Sequence, residues 1–144
     1  MIDRRRWAVM VVLGVLVTLA ACAAKQPVAI TFAGVKGYSE IWLDRRTIEV
    51  DFKGGMDEKV DKLKNLALLR AAELGWNRQF ERFVIVKTTD QTIIDGVTRS
   101  GDQYFPVEKV KVTVIVKFVG KDDPEYPTAF GIEAKAAEIR KALQ

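Results

Sequence analysis

The chain has 144 residues, no histidine, one cysteine and a formal net charge of +4. No histidine means no Ser-His-Asp or Cys-His catalysis and no histidine-ligated metal, and one cysteine means no disulfide within the chain. The length suits one domain, and 23 Lys+Arg against 19 Asp+Glu falls short of the one-sided basic surface that nucleic acid requires.

Arg4, Arg5 and Arg6 precede an apolar run from Trp7 to Leu19, and small residues follow at Ala20, Ala21, Ala23 and Ala24. Basic, apolar, small is the order of a secretory signal peptide. A helix over residues 7–19 rises about 20 Å, short of the roughly 30 Å hydrocarbon core, whereas one continued to Ala24 comes close to it. Leu19, Ala20, Ala21 and Cys22 together resemble a bacterial lipobox. In such proteins the cysteine sulfur takes a diacylglyceryl group, the chain is cut just before it, and the new amino terminus can be acylated as well. The resemblance implies palmitate-type chains on Cys22 and a firm membrane anchor, since stable anchoring needs more than one chain. Ala23, rather than Asp, follows the cysteine, which by the same resemblance implies the periplasmic face of the outer membrane rather than the inner membrane. Three other readings stay open: an ordinary signal peptide with "ACA" as its cleavage site, an uncleaved anchor helix, and a buried core helix. Loss of residues 1–21 removes Asp3 and three arginines and leaves 20 Lys+Arg against 18 Asp+Glu, so part of the positive charge belongs to the signal.

Residues 22–36 read as a lipidated cysteine and a short tether, with Val28 to Phe32 a candidate edge strand. A single α+β domain is expected over 37–144. "YSEIWL" and "TIEVDFK", joined through Asp44-Arg45-Arg46, read as a hairpin, because Ile48, Val50 and Phe52 alternate with Glu49, Asp51 and Lys53. Asp57 is a candidate N-cap. Val60, Leu63, Leu66, Ala67, Ala71 and Leu74 then recur at helical spacing, with Gly75 at the expected C′ position, which gives a helix near 58–74. "RFVIVKTT" is a third strand, and Asp90 to Val107 reads as a long connection. The fourth strand has the clearest alternation: Val110, Val112, Val114, Val116 and Phe118 face in, and Lys109, Lys111, Thr113, Ile115 and Lys117 face out. Ile132, Ala136, Ile139 and Leu143 mark a short C-terminal helix. The expected fold is a four-stranded, mainly antiparallel sheet in the order β-β-α-β-β-α, with one amphipathic helix packed on one face.

"GYSE" at 37–40, "FKGG" at 52–55, "ALLRAAEL" at 67–74 and "FVIV" at 83–86 follow the lipobox in this order. Together they resemble a family of small, uncharacterised bacterial lipoproteins. The motifs span residues 37–90, and the chain departs from the family at "GWNRQF" and over its C-terminal third. The resemblance implies location and fold but no chemistry.

Asp90, Asp95 and Asp102 bring carboxylates to the expected loop, with Glu108 just after it, but "DQTIIDG" lacks the alternating oxygen ligands of a calcium loop, and no metal or cofactor site is expected. Tyr104 and Phe105 are candidate partner contacts, with Lys109, Lys111 and Lys117 as a cationic strip beside them. Arg70 and Glu73 read as a salt bridge along the helix. The function expected is therefore non-catalytic: a membrane-anchored envelope lipoprotein that binds or scaffolds an envelope protein or peptidoglycan and does not bind nucleic acid. The alternative is a carrier with a small apolar ligand between helix and sheet, and a carboxylate-dependent hydrolase is a distant third.

Overall fold

A computed structural model describes residues 38–144. The lipobox, the tether and the candidate strand at 28–32 lie outside the described residues.

Strand β1 (Tyr38–Trp42) is followed by β2 (Thr47–Gly55), helix α1 (Val60–Asn77), β3 (Arg82–Ser100), β4 (Gln103–Val119), the two-residue β5 (Phe130–Gly131) and helix α2 (Ile132–Ala142). The strands form one antiparallel sheet in the order β1-β2-β4-β3-β5. The α+β class and the antiparallel sheet are as expected. Two features of the expected fold are corrected: the sheet has five strands rather than four, and α2 packs beside α1, so the core carries two helices rather than one.

Alternation decides which face is covered. Ile48, Val50 and Phe52 of β2 and Val112, Val114, Val116 and Phe118 of β4 are almost fully buried. They meet Leu63, Ala67, Leu68 and Ala71 of α1 and Ile132, Ala136 and Ile139 of α2 in one cluster. Each fully buried valine or leucine contributes about 2 kcal/mol, so this cluster dominates the fold's stability.

The ends of α1 differ from the sequence expectation. Asp57 does not cap the helix: Lys59 is the N-cap residue and makes no side-chain cap. Strand β2 runs on to Gly55, and the turn closed by the Glu58 amide donating to the Gly55 carbonyl delays the helix. Gly75 lies inside α1, buried, and the C′ position falls to Gln79 at φ 67°. The Phe80 amide donates to the Gly75 carbonyl at 3.0 Å and the Gln79 amide to the Trp76 carbonyl at 2.9 Å, the bond pattern of a Schellman motif.

Strand β5 carries no alternation that sequence reading could detect. It is held by Arg82, whose guanidinium donates to the carbonyls of Tyr126 at 3.0 Å and Ala129 at 3.3 Å, and by the Ile132 amide donating to Glu81.

Candidate functional site

The expected loop from Asp90 to Val107 is strand on both sides of a two-residue turn, Gly101-Asp102. Strands β3 and β4 are far longer than their neighbours. Pairing of β2 with β4 stops at Gly55 opposite Lys109, and β5 covers β3 only at Arg82 and Phe83. Residues 94–108 therefore stand beyond the sheet as a two-stranded arm, about 25 Å long at the strand rise. Gly101, at φ +64°, supplies the positive φ that two-residue hairpin turns need. Arg99 stiffens the tip: its guanidinium donates to the Gly101 carbonyl at 2.7 Å and to Asp102 at 3.1 Å, and lies 5.8 Å from the Tyr104 ring centre.

Between its charged tip and its base the arm exposes large apolar side chains. Ile94, Val97 and Tyr104 are about two-thirds exposed, at 70%, 65% and 67%, and Phe105 is 45% exposed. Val97 pairs with Pro106 and Arg99 with Tyr104. Because side chains alternate across a ribbon, Tyr104 and Pro106 share one face while Phe105 and Val107 share the other. An isolated two-stranded hairpin is marginal in water, so the arm depends on the sheet at its base.

The three candidate lysines line the sheet face away from the helices, and each is ion-paired. Lys109 meets Asp95 at 2.7 Å, Lys111 meets Asp51 at 2.9 Å and Lys117 meets Glu125 at 3.1 Å. Lys53 also reaches Asp95, at 3.4 Å. Lys109 first and Lys53 second hold the Asp95 carboxyl below the usual carboxylate range. Asp51 is 8% exposed and accepts from Thr113 and Ser39 as well as Lys111. Sequence reading missed this buried carboxylate, because a polar residue at an outward position of an alternating strand reads as solvated.

The carboxylates do not converge. Asp95 is at the arm's base, Asp102 is paired with Arg99 at its tip, and Asp90 and Glu108 are exposed between other partners. Among the described residues no group of three or more acids, cysteines or histidines is arranged to hold a metal ion. Arg70 does more than bridge Glu73 at 2.7 Å. Its guanidinium also donates to Glu40 of β1, at 2.8 Å from Nε and 3.3 Å from Nη2, and these bonds, Glu40's first, raise its pKa.

Where α1 crosses Phe118 the helix and sheet touch without a gap: a side chain at Gly75 would stand 2.0 Å from the ring. A surface cleft of about 140 Å³ lies at the end of the sheet opposite the arm, lined by Phe80, Glu81, Val119, Lys121 and Tyr126 among others. The Tyr126 hydroxyl donates to Glu81 within it. Comparison with protein-family models, curated proteins and solved structures finds no match to this chain.

Proposed function

We propose that this chain is a lipid-anchored envelope lipoprotein whose domain is a binding or scaffolding module, and that the β3–β4 arm is its contact element. The observation that carries the reading is the set of exposed apolar side chains spread over both faces of the arm, Ile94, Val97, Tyr104 and Phe105, held out by a rigid sheet. Apolar surface presented on a projecting element marks a site of macromolecular contact. The partner it fits is a protein of the envelope, because aliphatic and aromatic groups without a bed of free charges suit an apolar protein surface better than a glycan. The Leu19–Cys22 lipobox supports the anchor, with acyl chains on Cys22 as the membrane attachment. The domain needs no catalytic residue in this reading.

Two experiments test it. Metabolic labelling with a tagged fatty acid is expected to mark the native chain and not Cys22→Ser; label on the variant removes the lipobox reading. Shortening the arm by joining Ile94 to Glu108 through an Asn-Gly turn preserves their pairing and the sheet below. In the intact protein a photoreactive group at Phe105 or at Lys109 is expected to crosslink the partner in cells; the shortened protein is expected to melt almost normally and to lose the crosslinks formed from Lys109. Unchanged crosslinks from Lys109 would place the contact elsewhere on the domain.

A further inference from the structure

We propose that the arm is hinged at its base and that Asp95 is the latch that sets its direction. Three features coincide there. The register of β3 against β4 shifts between Ile94 and Val97, leaving Asp95 and Gly96 without partner residues in the ladder. Gly96 has φ +102°, and nothing lies within 4 Å of the place where its side chain would be, so the backbone can turn there without collision. The support also changes at this level: Lys109 still has β2 on one side at Gly55 and β3 on the other at Ile93, whereas Glu108 has only β3 at Ile94. A stiff three-stranded region therefore gives way to a soft two-stranded one at the bulge. Bulges bend a strand and increase its twist, so this one determines where the arm points.

Asp95 spans the change. Its carboxylate folds back across the sheet face, taking one lysine from β4 and one from β2, so the bulge is tied to two strands below it. The depressed pKa agrees with a carboxylate that these lysines hold in its charged form. All three side chains are about one-third exposed, so the latch is soft and salt weakens it. An arm held this way presents Val97 and Tyr104 in one direction until a partner, or loss of the ion pairs, releases it. The geometry stands whether or not the arm is the contact element; only the consequence for binding rests on that reading.

The test uses the full chain in detergent with Cys22→Ser, which removes the native thiol, and spin labels at Thr98→Cys on the arm and Asp61→Cys on α1. The expected result is one narrow distance distribution, broadened about twofold or more by Asp95→Asn or by roughly 1 M NaCl, where the screening length falls to about 3 Å. Salt is expected to have little further effect on Asp95→Asn. A distribution equally narrow with and without the Asp95 carboxylate, or equally broad in both, overturns the latch. The salt arm reads the unsubstituted Asp95 and so remains decisive if the variant folds poorly. Failure of lipidation or of partner crosslinking leaves these distances unaffected.

Discussion

Gly75 and Gln79 close α1 in ways that predict opposite responses to substitution. Alanine is about 1 kcal/mol better than glycine inside a helix, but a methyl at position 75 meets Phe118 at 2.0 Å. That ring cannot retreat easily: Phe80 stacks on it at 4.9 Å, and Trp42 packs at 5.8 Å. Overpacking of this kind costs roughly 1–3 kcal/mol, so Gly75→Ala is expected to lower the melting temperature despite the better helix propensity. Gln79 pays the steric cost of a left-handed conformation, φ 67°, while its side chain is exposed. Gln79→Gly is expected to stabilise the domain by about 0.5–1 kcal/mol, read by chemical denaturation. The sequence reading assigned glycine's conformational role to residue 75. Composition cannot distinguish a glycine chosen for its backbone from one chosen because an aromatic ring needs its space.

Among the elements, β1 is held by side chains as much as by its ladder. Arg70 reaches Glu40 through two nitrogens and lies 5.3 Å from the Tyr38 ring, which stacks on Phe52 at 5.5 Å; Arg78 covers Trp42 at 3.5 Å. Lysine cannot reproduce that fork. Arg70→Lys is expected to cost about 1 kcal/mol and to speed amide exchange in β1 more than in β4. The strong alternations at 48–52 and 110–118 made β2 and β4 legible, because every second residue had to be apolar to fill the core. The arm was not legible for the complementary reason. Free of any core, residues 87–106 are almost all exposed and carry no periodic constraint, so Asp95, Gly96, Ser100 and Gly101 made them resemble a loop. Tyr104 and Phe105 stand out in the sequence as candidate contacts and both are exposed, but their placement on opposite faces of a ribbon depends on a ladder the composition hides.

At the scale of the whole molecule, charge responds to pH in a narrow way. The chain has no histidine, so no side chain has its ordinary pKa between about pH 5 and 8 except through strong perturbation. Asp44 is held below the usual carboxylate range chiefly by the Arg46 amide and also by hydrogen bonding to Thr47, and Asp95 chiefly by Lys109 and then by Lys53. For both, the folded value lies below the ordinary 3.8. Their stabilisation is therefore complete above that value and is lost as pH falls through the lower folded one. Arg70 is shifted upward from the ordinary arginine value, so its contribution persists throughout the accessible range and would be lost only in strong alkali. The melting temperature is expected to be flat from about pH 5.5 to 8 and to fall below about pH 4. A transition centred near pH 6.5 would point to a titrating group outside these pairs.

The register of β1 has a mechanical consequence. Tyr38 pairs with Phe52 and Trp42 with Ile48, so the chain joins β1 from the same end of the sheet as the arm. A pull on the N-terminal segment directed past that end runs along the strand and loads five residue pairs in shear together, rather than peeling them one at a time. The Arg70–Glu40 fork lies across the same line of force. A domain dragged by the N-terminal end of β1 in that direction would resist as a rivet does, while a sideways pull would unzip β1 at far lower tension.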